Sequence, residues 1–128
     1  MENRPRTQDK RHAIRVKVAV PTSYIRFDDK GWVRQLATSR SMDVSSGGVR
    51  LRSSYPVDPR EVLEITMAFR QRMLTFRGEV VHVTDSKDES LEFGVRIKEI
   101  RDEDRIALAR FVIRKCRERR FKDRIFHN

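Results

Sequence analysis

Apolar and polar residues alternate along most of the chain, and the repeat changes only near its end. Ile14, Val16, Val18 and Val20 fall on one side of an extended segment and Arg15, Lys17 and Ala19 on the other, the period-two pattern of a half-buried strand. Pro21 has no amide hydrogen to give to a ladder and is expected to end that strand, with Tyr24 to Phe27 forming a second. Asp28-Asp29-Lys30-Gly31 predicts a turn into an irregular strand running from Trp32 toward Val44, and Val49 to Leu51 predicts another. After a loop at Pro56 to Pro59, Leu63, Ile65, Met67 and Phe69 alternate with Glu64, Thr66 and Ala68 in a strong strand. Arg70 to Arg72 turns the chain into Met73 to Val83, where Gly78 marks a bulge or close packing; Ser86 to Ser90 is a polar loop and Leu91 to Ile97 closes the sheet. From Asp102 the period switches: Ile106, Ala109, Val112 or Ile113, and Cys116 define one apolar helix face. Asp102 is the expected N-cap, and Glu103 and Asp104 lie where the helix dipole favours anions, as Arg114 to Arg120 lie where it favours cations. The fold class is therefore mainly β, an antiparallel barrel or sandwich of short strands followed by a C-terminal helix.

Length and composition narrow the class. A chain of 128 residues is enough for one domain with a single core, and its 38% hydrophobic content is matched by 38% charged residues. No run approaches the roughly 18 apolar residues of a membrane helix. Met1-Glu2-Asn3-Arg4-Pro5-Arg6 lacks the apolar segment of a signal peptide, so a cytoplasmic protein without a membrane span is expected. Cys116 has no second cysteine to pair with and is expected to pack as a small hydrophobe. The net charge of +10 is unevenly spread: residues 1–17 carry six basic against two acidic side chains and residues 98–128 eleven against six, while the middle is nearly balanced. Such ends attract phosphate-bearing partners. Residues 1–9 show no apolar periodicity and are expected to be disordered. His12, His82 and His127 are scattered without ligand spacing, so no metal site is expected.

Two stretches carry chemistry. Met42-Asp43-Val44-Ser45-Ser46-Gly47-Gly48-Val49-Arg50-Leu51 puts a carboxylate, two hydroxyls and two glycines in a tight turn between strands. Glycine there would supply positive φ or let a ligand approach the backbone; equally, such a turn can satisfy only itself. Lys10-Arg11-His12-Ala13-Ile14-Arg15 sets two arginines four residues apart before a strand, which taken alone is a solvated strand start. Ser45, His82 and Asp85 compose a triad on paper, but nothing like a nucleophile elbow surrounds the serine, and no enzyme is expected.

Together the two stretches resemble the PilZ domain family, the receptor module for the bacterial second messenger cyclic di-GMP. Arg11 and Arg15 fill its RxxxR pattern; Asp43, Ser45 and Gly48 fill its D/N-x-S-x-x-G pattern; and Phe93-Gly94-Val95-Arg96-Ile97 matches its closing strand. The resemblance implies a small antiparallel β-barrel of about six to seven strands with a C-terminal α-helix. It divides the chain into a leader (1–10), a barrel (11–100) and a basic helix and tail (101–128). It implies that Arg11 and Arg15 grip phosphate and guanine, that Asp43 and Ser45 accept the guanine N1-H and N2-H, and that Ser46, Gly47 and Gly48 line the turn. In the family, a basic residue just before RxxxR favours an intercalated pair of ligands, and Lys10 holds that place. The implied function is a receptor that needs no cofactor and alters its contacts with a protein partner not identified by the sequence. Two alternatives remain. A nucleic-acid-binding barrel would need exposed aromatics, whereas Phe69, Phe76 and Phe93 fall at core-facing positions. A ligand-free PilZ-type adaptor typically lacks the arginines that this chain keeps.

Overall fold

The computed structural model describes residues 14–85 and 88–126, with side chains described as far as residue 122. Seven strands precede one helix: β1 (Arg15–Lys17), β2 (Pro21–Phe27), β3 (Val33–Ser45), β4 (Gly48–Ser53), β5 (Val62–Phe69), β6 (Arg72–Asp85), β7 (Leu91–Ile100) and α1 (Asp102–Phe126). The sheet order is β1-β3-β2-β5-β6-β7-β4, and β4 pairs back onto β3, so six strands close an antiparallel barrel with β1 added to it. Closure removes the free edges that an open sheet of this size would expose.

β3 is long because it serves three neighbours. Its first part pairs with β2 as far as Pro21 opposite Arg40, and its last part pairs with β1, Lys17 standing opposite Asp43. β4 runs along its other edge. Between β1 and β2 the chain leaves the ladder, and Ser41 fills the gap. Its amide donates to the Val20 carbonyl at 3.1 Å, and its hydroxyl accepts from the Val20 amide at 2.7 Å and donates to the Val18 carbonyl at 2.6 Å. The alternating stretch from Ile14 to Val20 is thus not one strand, because these side-chain bonds replace ladder bonds over its second half. Pro21 opens β2 instead of ending a strand, a position where its missing N-H costs nothing. Val16 and Val20 are buried as the alternation predicts, but Ile14, at the open end of β1, is 49% exposed.

Inside the barrel Tyr24, Leu51, Leu63, Ile65, Met67 and Phe93 are fully buried, with Tyr24 edge-on to Phe93 at 5.6 Å between ring centroids. Gly78 sits at a register shift, and a Cβ there would run into the Val95 side chain, so both roles expected of it hold. α1 packs across the end of the barrel where β5 meets β6, its Phe111 ring 4.5 Å from that of Phe69. Its buried stripe is Asp104, Leu108, Phe111 and Val112, whereas Ile106 and Ile113 stay exposed. Val112 and Cys116 pack on the core as expected, but Ile106 does not, because a helix so rich in arginine has few apolar residues and two overlapping registers of them satisfy the same period. The first helical hydrogen bond runs from the Arg105 amide to the Arg101 carbonyl at 2.9 Å, which makes Arg101 the cap, one residue before Asp102. Buried Asp104 accepts from Arg72 at 2.7 Å and so ties the helix start to β6.

At the other end of β5 a charge sits at an inward-facing strand position. Arg26 is buried, forks onto Glu61 at 2.7 and 3.0 Å and also donates to Gln35 at 3.2 Å. Burial pushes the Glu61 carboxyl up, but the bonds from Arg26 and the Asp58 amide outweigh it and hold the group below the usual range.

Candidate functional site

The site is built on the β3–β4 hairpin. Val44 stands opposite Val49 and Asp43 opposite Arg50, so only Ser46 and Gly47 lie in the loop. The Ser45 hydroxyl accepts from the Gly47 and Gly48 amides at 3.3 and 3.2 Å and donates to the Gly48 carbonyl at 3.1 Å, which fixes the turn from within. The Ile97 amide donates to the Gly47 carbonyl at 3.0 Å and pins the turn to β7. The positive φ expected of these glycines is absent: among the described glycines only Gly31 has one. Gly48 is required instead by close approach, since a Cβ there would overlap the Val95 carbonyl oxygen. A Cβ at Gly47 would meet nothing.

Asp43 lies buried at the centre of the site between two arginines that come from opposite edges of β3. Its Oδ1 accepts from Arg15 at 3.1 Å and its Oδ2 from Arg50 Nε at 3.0 Å. The two cations differ in freedom, the Arg15 side chain being 64% exposed and that of Arg50 39%. Glu92 steadies the outer side of this group, 3.7 Å from Arg50 and accepting from Arg52 at 2.6 Å.

These residues form one wall of a cavity of about 960 Å³; the other wall is made by Val81 and His82 of β6 and by Gly94, Val95, Arg96 and Ile97 of β7. That volume lies at the upper end of the roughly 300–1,000 Å³ usual for small-ligand sites. Gly94 leaves room for the exposed His82 ring, which lies over it where a Cβ would stand. Arg96 donates to Glu79 at 2.8 Å, and this bond holds the Glu79 carboxyl below the usual range. Arg15, Arg50 and Arg96 thus face a cavity whose one buried carboxylate is Asp43. Among the described residues no group of three His, Cys, Asp or Glu side chains is placed to hold a metal.

Of the candidate site residues, Arg15, Asp43, Ser45, Ser46, Gly47 and Gly48 line this one cavity; Lys10 and Arg11 lie outside the described residues. Arg50, His82 and Arg96 were not foreseen. Arg50 carried a signal, since Val49 and Leu51 point inward and leave it facing out two residues beyond Gly48. His82 and Arg96 reach the site only through the register of β6 and β7 against β4, which no local pattern encodes.

The sequence profile of the PilZ domain matches residues 6–114. No curated protein matches the chain in sequence. Among solved structures, the Bacillus subtilis inhibitor of motility MotI (DgrA) is 16% identical with a TM-score of 0.73, over 94% of this chain and 54% of that one. The PilZ domain of Escherichia coli YcgR, solved with c-di-GMP, is 17% identical with a TM-score of 0.65, over 88% of this chain and 96% of that one. The MrkH–c-di-GMP complex of K. pneumonia is 14% identical with a TM-score of 0.70, over 95% of this chain and 57% of that one. The chain spans about half the length of MotI and of MrkH. By the match over most of its length, the chain belongs to the PilZ domain family.

Proposed function

We propose that this protein is a receptor for cyclic di-GMP and that the cavity behind the β3–β4 turn is its binding site. The observation that carries this is the convergence of Asp43, Arg15, Arg50 and the Ser45–Gly48 turn on a single cavity. PilZ proteins of the same fold, the YcgR domain and MrkH, have been solved with this ligand, which supports the assignment.

The chemistry follows from what each group has left to offer. A carboxylate has about four lone-pair sites, and each Asp43 oxygen spends one on an arginine. The remaining pair can accept the adjacent N1-H and N2-H of a guanine while both arginines stay in place. Guanidinium forks match phosphate oxygens and the guanine O6/N7 edge, so Arg15 and Arg50 are held by Asp43 in position to meet them. Ser45 has its hydroxyl committed to the turn, and its part is to fix the backbone and not to touch the base. The same commitment argues against a nucleophile: its proton goes to the Gly48 carbonyl, not to an imidazole. We assign the chain a binding role in the cytoplasm, without catalysis and without a cofactor.

We take the site to hold two ligands per chain. A pair brings four phosphate charges, and Arg50 and Arg96 add cations to those of Lys10, Arg11 and Arg15. Output would pass through β1, which is three residues long and touches α1, where Arg119 donates to the Lys17 carbonyl at 3.3 Å. A ligand that engages Arg15 where Asp43 holds it would tie β1 to the site and so fix the strand against which the helix rests, changing the surface offered to a protein partner. Amide chemical-shift mapping tests the site. Addition of cyclic di-GMP should move the Asp43, Ser46, Gly47, Gly48 and Arg50 signals first, and shifts confined to the Arg26–Glu61 end would contradict the assignment.

A further inference from the structure

A second concave surface lies away from this cavity, where α1 meets the β5–β6 turn. It encloses about 750 Å³. Its floor is the Phe69–Phe111 pair, and its rim is Arg70, Arg110, Arg114 and Lys115. The lone acid lining it is Glu118, 3.4 Å from Lys115. Arg72 at the inner end is already bound to Asp104, but among the described residues no carboxylate pairs with Arg70, Arg110 or Arg114. Elsewhere on the barrel Arg15, Arg26, Arg50, Arg52 and Arg96 each have a carboxylate partner, while Arg34, Arg40, Arg60 and Arg77 form no ion pair among the described residues; the groove is set apart by gathering three unpaired arginines around one aromatic floor. The helix dipole accounts for cations near the end of α1, but not for Arg70 on the facing turn.

We infer that this groove is a docking site for an acidic segment of a partner protein, whose carboxylates meet the rim arginines while an apolar side chain rests beside Phe69. Charge complementarity and the mixed lining favour a protein over nucleic acid. A nucleic acid would need open aromatic faces to stack on, whereas the Phe111 ring is buried and its face is covered by Arg114 and Lys115, each 5.8 Å from the ring centroid. Arginine is suited to the task because its fork takes a carboxylate with two parallel bonds. The groove stands independently of the dinucleotide site, and it is tested without any nucleotide present.

The test is fluorescence polarisation of the full chain with a short fluorescein-labelled peptide of glutamates and a few leucines. The same peptide with glutamine for glutamate and a single-stranded oligodeoxynucleotide of equal charge serve for comparison. The acidic peptide should saturate and the glutamine peptide bind more weakly. The Arg110→Glu, Arg114→Glu double variant should lose about tenfold or more in affinity, while Arg40→Glu with Arg105→Glu, of identical net charge, should change it less than about threefold. The Arg110→Lys, Arg114→Lys variant, which keeps charge and helix propensity, should bind between the two. Equal losses in both Glu pairs would show that net charge alone is felt, and absence of saturation would remove the site. An oligonucleotide that binds tighter than the peptide and loses as much in the groove variant would make the surface a nucleic-acid interface and overturn the proposal.

Discussion

Replacing Asp43 by asparagine keeps the shape of the side chain and removes what the proposed site uses. One acceptor oxygen remains, and the other becomes an NH2 that faces the guanine donors. The arginines it releases are 64% and 39% exposed, so their ion pairs contribute little to folding, about 0–1 kcal/mol each, and the variant should stay folded. A hydrogen bond to a charged group contributes about 1.5–3 kcal/mol when buried, so Asp43→Asn should weaken cyclic di-GMP by roughly ten- to a hundredfold. Cyclic di-IMP, which keeps N1-H and lacks the N2 amine, isolates the base contact. The wild type should prefer cyclic di-GMP over it by about tenfold, and in Asp43→Asn that preference should fall below about threefold. Calorimetric titration of both proteins with both ligands closes the cycle, and thermal melting confirms that the variant is folded. An unchanged preference between the two ligands would mean that Asp43 only positions Arg15 and Arg50 and does not read the base.

Three further outcomes follow from the same structure. Arg15→Ala should abolish detectable cyclic di-GMP binding while shifting stability by less than about 0.5 kcal/mol in denaturant unfolding, since the side chain is mostly exposed; wild-type affinity in this variant would remove Arg15 from the site. Gly48→Ala should cost about 1–3 kcal/mol because its Cβ overlaps the Val95 carbonyl, whereas Gly47→Ala, which meets nothing, should stay within about 0.5 kcal/mol; equal melting temperatures would refute the close-approach argument. The hydrogen bond from Arg72 holds the Asp104 carboxyl below its ordinary value, a shift that stabilises the fold above the unfolded pKa and is lost as pH falls through the folded one. The melting-temperature gap between wild type and Asp104→Asn should therefore be widest near neutrality and close below about pH 4, and a gap independent of pH would contradict the pairing.

Sequence patterning was sufficient where one face of a strand is buried and the other is not. Leu63, Ile65 and Met67 on β5, and the acidic start of α1, are where alternation and period placed them. It misled where side chains compete with the ladder, as Ser41 does between β1 and β2, and where too few apolar residues define a face, as in α1. Arg26 was invisible for a different reason: a charge on an inward position breaks the pattern, and its partner Glu61 lies 35 residues away. At the site, the contiguous motif from Asp43 to Gly48 was legible because one hairpin holds all of it. The opposite wall was not, since His82 and Arg96 are placed by strand pairing between segments far apart in the chain.

A calorimetric titration of the unmodified protein with cyclic di-GMP, with native mass spectrometry at the endpoint, tests the central claim most directly. The arrangement of Asp43, Arg15 and Arg50 predicts saturable binding at micromolar affinity or tighter, ending at two ligands per chain. An endpoint at one ligand would overturn the paired mode alone; no saturable binding below about 1 mM would contradict the receptor itself.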